Sequence, residues 1–125
     1  MRGTAFALAL ALTVGCLPGV ARACSCAPRS EVEIIDAADV VVAGMVTDVR
    51  RIGAQGSGTV IATIDVGRII KGRVHRQVQI KTRDNSAACG VSFTKGALVR
   101  VAAQKLNDGL NTNLCMALTA PARSP

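Results

Sequence analysis

Cys24 and Cys26 stand one residue apart, while Cys89 and Cys115 lie far downstream. An even number of cysteines in a small exported domain reads as a disulfide framework. A bond between Cys24 and Cys26 would close an unusually tight ring. The two remaining pairings both pin the start of the domain to its second half. In the chain-entropy model each such bridge is worth roughly 4 kcal/mol, a large share of a small domain's stability. The fifth cysteine, Cys16, belongs to a different segment. An apolar run from Ala5 to Leu17 follows Arg2 and leads into Ala21-Arg22-Ala23, the pattern of a secretory signal peptide over residues 1–23. Cleavage after Ala23 leaves 102 of the 125 residues, enough for one domain and too few for two cores. The expected location is secreted, either periplasmic or extracellular. No membrane span is expected, because no later run approaches about 18 apolar residues.

Beyond Ala23, Val and Ile total 21 against 5 Leu, a β-branched excess that favours a pleated sheet. Of the 15 Lys and Arg, Arg2 and Arg22 fall in the leader, so 13 face 8 Asp and Glu, a formal charge of +5. That excess draws the protein toward anionic surfaces. It does not indicate nucleic acid, because strand binders stack bases on aromatic rings and Phe93 is the only aromatic residue after the leader.

The segment Cys24-Ser25-Cys26-Ala27-Pro28 has no apolar periodicity and reads as an extended arm. Ser30 and Glu33 form a capping box for a short helix from Glu31 to Ala37, with Val32, Ile35 and Ile34 expected inward. Asp39 to Arg51 predicts a strand with a bulge at Gly44, followed by a turn through residues 53–58. Thr59 to Ile70 alternates, with Val60, Ala62, Ile64 and Val66 on one face. After Lys71-Gly72, Val74, Val78 and Ile80 oppose His75, Gln77, Gln79 and Lys81 on a third strand. Further strands are expected over Cys89 to Phe93, Ala97 to Gln104 and Leu110 to Met116, the last two joined by a hairpin at Asn107-Asp108-Gly109. About five strands and one helix suggest a mainly β domain over residues 24–120 closed as a small barrel, because closure removes exposed edges. The tail, 121–125, is expected to be disordered.

Catalytic candidates are few. His75 lies between Arg73 and Arg76 with no carboxylate beside it, and nucleophile elbows, zinc-protease helices and phosphate loops are missing from the sequence. Glu31 and Glu33 suit a helix start for structural reasons. The chain is therefore expected not to be an enzyme, and no cofactor is called for. The one-residue spacing of Cys24 and Cys26 argues against redox pairs and zinc knuckles, which use two or more. Arg68, Lys71, Arg73, Arg76, Lys81 and Arg83 gather around one hairpin. They read as a solvated face or as a contact for an anionic glycan or acidic partner.

The start Cys24-Ser25-Cys26-Ala27-Pro28, the strand entry Ala38-Asp39-Val40-Val41, the segment Ser86-Ala87-Ala88-Cys89-Gly90 and the late Cys115 form a further pattern. Together they resemble the inhibitory domain of the tissue inhibitors of metalloproteinases, a netrin-like module, in its single-domain bacterial form. The resemblance implies a five-stranded OB-fold barrel with one short helix, and disulfides joining Cys24 to Cys89 and Cys26 to Cys115. It also implies a mechanism in which the α-amine and carbonyl oxygen of Cys24 chelate the catalytic zinc of a target metalloprotease. Ser25 would then enter the specificity pocket. Cys26, Ala27, Pro28, Ala87 and Ala88 would complete the protease-binding surface. Such a chelate is chemically sound, because catalytic zinc keeps an open position and a preorganised ligand fills it at small entropic cost.

The resemblance thus points to a monomeric, secreted protease inhibitor. Its rivals are a non-inhibitory extracellular or envelope module binding protein or anionic glycan, and a lipoprotein modified at Cys16 in Leu12-Thr13-Val14-Gly15-Cys16. The intact mass of the exported protein fixes its N-terminus, counts its disulfides and sets the lipoprotein apart from the other two. It is expected to match residues 24–125 less four hydrogens, whereas a lipidated Cys16 leaves a longer, heavier chain.

Overall fold

The computed structural model describes Gly15 and residues 24–119. The rest of the expected leader, with Cys16, and the tail at 121–125 lie outside the described residues. The elements are a helix α1 (Glu31–Ala37) and strands β1 (Val40–Ile52), β2 (Thr59–Lys71), β3 (Gln77–Arg83), β4 (Leu98–Leu106) and β5 (Gly109–Asn111), with short 3-10 turns η1 (Ser86–Ala88) and η2 (Leu114–Met116). The five strands form a ring in the order β1-β2-β3-β5-β4, with β4 returning to β1. All contacts are antiparallel except the two-residue pairing of β3 with β5, Ile80 with Leu110 and Lys81 with Asn111.

Val40, Val42 and Val46 of β1 point into the ring, where they meet Ala62, Ile64, Val78, Ile80, Val101 and Ala103. Val41 points the other way. It packs with Ile34 and Ala38 of the helix segment, Ala102 of β4 and Met116 of η2. The uninterrupted run Val40-Val41-Val42 follows from this arrangement, since a strand covered on both faces has no solvent side on which to place polar residues. Beyond the helix the outer face is open, and Met45 and Leu98 are a cross-strand pair exposed there.

β1 is thirteen residues long and changes register against β2 at Val41/Val42, Ala43/Gly44 and Val46/Asp48. Such irregularities bend a strand enough for a small sheet to close. A Cβ at Gly44 would run into the carbonyl oxygen of Asp65, so the bend brings the two backbones too close for any side chain there.

Ser30 and Glu33 cap α1 reciprocally: Glu33 N–H donates to Ser30 Oγ at 3.2 Å and Ser30 N–H to Glu33 Oε2 at 2.8 Å. The inward residue is Ile34, with Ile35 half-buried; Val32 is 68% exposed and not inward as its apolar character suggests. A seven-residue helix presents a narrow stripe to a sheet, and Ile34 with Ala38 already occupies it. The helix ends at Ala38, and Lys71 Nζ donates to the carbonyls of Ile35 (3.0 Å) and Asp36 (2.8 Å) in its last turn, a favourable place for a cation.

Three strand expectations are corrected. Residues 89–93 form no strand, because Cys89 takes a left-handed conformation (φ 64°) and Val91 N–H donates to the Thr82 hydroxyl at 3.0 Å instead of to a ladder. The last strand stops at Asn111: Thr112 donates its hydroxyl to Ala102 O at 2.7 Å, and Asn113 starts η2 by accepting Cys115 N–H at 2.9 Å. The third strand starts at Gln77 and leaves His75 on the exposed approach, although Val74 still packs on the core.

Glu31 joins the helix start to the rest of the domain, accepting Thr119 N–H at 3.1 Å and facing Arg100 Nη1 at 3.2 Å. The hydrogen bonds from Thr119, followed by Arg100, hold its carboxyl below the usual value. A depressed carboxylate contributes stability above its unfolded pKa and loses that contribution as pH falls through its folded one. Glu31→Gln is therefore expected to be less stable than the parent at neutral pH. The difference should shrink to nothing in acid, as followed by urea melts across that range.

Candidate functional site

Each downstream cysteine sits in a 3-10 turn that polar side chains build. Asn85 Oδ1 accepts Ala88 N–H at 2.8 Å and caps η1, while its amide donates to Gly56 O. Asp84 Oδ2 accepts Gly56 N–H at 2.6 Å and lies 3.6 Å from Arg51 Nε. The glycine-rich turn at 53–58 is thus strapped to the foot of η1. Cys89 N–H donates to Ser86 O at 3.0 Å and Gly90 N–H to Asn85 O at 2.9 Å, which closes the turn. Gly90 is buried, and a Cβ there would meet the carbonyl oxygens of Arg83 and Asn85.

The second turn, η2, is held beside the first. Leu114 N–H donates to Cys89 O at 2.9 Å, so the backbone carrying Cys115 is bonded to the backbone carrying Cys89. Onto this double platform the arm is bolted. Cys24 is disulfide-bonded to Cys89 and Cys26 to Cys115, with Cα separations of 5.0 and 5.2 Å. This is the pairing that the resemblance implies. The four sulfurs all lie within 4.8 Å of one another. Bridges of this kind are compatible with an extracellular or periplasmic location. Among the described residues no helix is long and apolar enough to cross a membrane.

Ser25, Ala27 and Pro28 are exposed along the arm, as is Cys26, whereas Cys24 is half-buried. Ala87 and Ala88 are exposed on η1 immediately before Cys89, so the first bridge carries Cys24 to their side. The structure therefore assembles Cys24, Ser25, Cys26, Ala27 and Pro28 with Ala87 and Ala88 at one end of the ring. The site is a ridge of small side chains with a fixed backbone. Asp84, Asn85 and Asn113 support it without touching its surface. The local signal of Asn85 and Asn113 is a side-chain acceptor placed three and two residues before the amide it caps; Asp84, whose partner is the distant Gly56, has none.

The basic residues do not act as one patch. Lys71 is engaged with the helix carbonyls, and Lys81 binds Asp108, its Nζ lying 3.6 Å from Oδ2. Arg83 faces the η1 side with Asp84 and Asn85, whereas Arg68, Arg73 and Arg76 cluster with His75 on the opposite approach to β3. Compared with known proteins, the chain matches no family model and no curated sequence.

Two expectations test the platform. Gly90→Ala should cost about 1–3 kcal/mol by overpacking against two carbonyls, with both bridges still present on a non-reducing peptide map. Cys115→Ser should cost more, up to roughly 4–5 kcal/mol on loop-closure grounds. Urea denaturation of the two variants beside the parent measures both effects.

Proposed function

We propose that the protein is a secreted inhibitor of zinc metalloproteases, built as an OB-fold barrel of the netrin-like type and acting through Cys24. The strand order β1-β2-β3-β5-β4 around a β-branched core supports the barrel reading. The observation that carries the functional reading is the double anchoring of the arm. Two bridges one residue apart hold a three-residue segment whose middle residue, Ser25, is free in solvent. Either bridge alone would tie the arm to the second half of the domain; the two together also remove the remaining freedom of the backbone between them. That rigidity is useful to a ligand that must present backbone atoms to a metal at small entropic cost.

In this reading cleavage after Ala23 frees the α-amine of Cys24. The amine nitrogen and the Cys24 carbonyl oxygen fill the open coordination position of the protease zinc, and its bound water leaves. Ser25 points into the pocket beside the zinc, and Ala27, Pro28, Ala87 and Ala88 pack on the rims of the cleft. Small side chains suit this role, since they let the two backbones approach closely. The amine must be neutral to donate its lone pair. With a reference pKa of about 7.7 to 8.0 that costs little at neutral pH and progressively more in acid.

The test compares the correctly cleaved protein with a form carrying one additional alanine before Cys24, across a panel of zinc proteases that includes enzymes from the same source. Circular dichroism checks that the two forms fold equally. Inhibition by the cleaved form alone, weakening as pH falls below the amine pKa, is the expected result. Equal potency of both forms, or inactivity of both, returns the protein to the reading of a non-inhibitory binding module.

A further inference from the structure

The ring closes through a very short contact. β5 pairs with β3 only at Ile80 and Lys81, and the edge of β3 ahead of them, centred on Gln77, has no strand beside it on that side. The direction of its backbone groups follows from two hydrogen bonds. Arg76 O accepts Val66 N–H at 2.7 Å, toward β2, and Lys81 O accepts Thr112 N–H at 2.9 Å, toward the β5 side. Because backbone groups alternate along a strand, the N–H and C=O of Gln77 share the side of Lys81 and point away from β2.

A groove lies along this edge, between the start of β3 and the β4–β5 hairpin. Val74, Val78, Leu106 and Leu110 line it with apolar surface; Leu106, at 56% exposed, is among the barest large apolar side chains of the described residues. Arg73, His75 and Lys105 supply its polar rim, and no carboxylate lines it. The adjoining depression, which shares His75, adds Arg68 and Arg76 and again no carboxylate. Asp108, the hairpin's acidic residue, is already engaged by Lys81 and Asn111.

Free strand-edge amides, an apolar floor and a cationic rim without counter-charge are three requirements of one kind of ligand. An extended chain can pair its backbone with the edge, seat alternate apolar side chains on the floor, and turn acidic side chains to the rim. Polysaccharides would leave the apolar floor unused, because no Phe, Tyr or Trp lines the groove for sugars to stack on. We propose that this groove binds an extended acidic peptide segment of a partner protein, added as a strand along the β3 edge at Gln77. The surface involves neither the Cys24 arm nor the η1 ridge, so the site is independent of the inhibitory reading.

The experiment uses the folded, disulfide-bonded protein and a short fluorescein-labelled peptide of alternating Val and Glu, read by anisotropy. Saturable binding is expected. N-methylation of alternate amides on one edge of the peptide should weaken it about tenfold or more, and on the other edge hardly at all. Gln77→Pro, which removes one groove-facing N–H at the first residue of a strand, should weaken it similarly with the circular dichroism unchanged. Arg73→Glu combined with Lys105→Glu should do the same. Absence of saturable binding overturns the proposal. So does binding indifferent to N-methylation on either edge and displaced by a heparin-like polysaccharide, which would mark a site for polyanions. The methylated peptides decide the matter even if the proline variant misfolds.

Discussion

The two bridges from the arm to η1 and η2 are the constraint on which the rest of the structure depends. They join the first described stretch of the domain to two turns that lie 65 and 89 residues later in the chain. Neither turn is a regular element, and each carries its cysteine on a few side-chain hydrogen bonds. The platform stands because every part of it is tied to another. Asp84 and Asn85 hold the 53–58 turn, Cys89 O holds η2, and Thr112 fastens the approach to η2 onto β3 and β4. With a core made largely of Val, Ile and Ala, which bury less area per residue than aromatic side chains, covalent ties take a larger part in stability.

The same economy governs the ring. Its interior is filled by β-branched side chains whose volumes fit a narrow closure, and the strand that must bend most, β1, does so at register changes and at a glycine. β5 contributes only three residues, enough to close the circuit and too few to cover the whole β3 edge. Closure therefore leaves the start of the β3 edge open on the β5 side, beside Arg73, His75 and Lys105. The helix completes the other side by covering Val41 and Ala102, with Glu31 and Lys71 anchoring its two ends.

The elements with a strong local pattern were legible in the sequence. The capping box at Ser30 and Glu33 marked the helix start, the alternating set Val60, Ala62, Ile64 and Val66 marked β2 although Ile61 between them is buried as well, and the Asn107-Asp108-Gly109 turn marked the β4–β5 hairpin. What misled was apolar character without a partner. Val91 and Phe93 have the apolar character of strand residues, yet Phe93 packs on the core from a coil, and the Val91 N–H is taken by the Thr82 hydroxyl. Leu114 and Met116 were read as part of a strand for the same reason. The inward choice among Val32, Ile34 and Ile35 could not be made from a helix of seven residues, where the docking angle decides the face.

Taken alone, the sequence determined the class of fold, through its β-branched excess and alternation, and the disulfide framework, through an even set of cysteines at two ends of one small domain. It also marked the residues of the arm, because Cys-x-Cys followed by Pro admits no regular element. Only the tertiary structure decided where the ring closes, which cations are already engaged, and that Ala87 and Ala88 stand beside Cys24. The physical reason is range. Propensity and capping act over a few residues, and periodicity tells which face of a strand is apolar. Register between distant strands, the partner of a lysine and the neighbours of an exposed alanine are settled only when segments far apart in sequence are packed together.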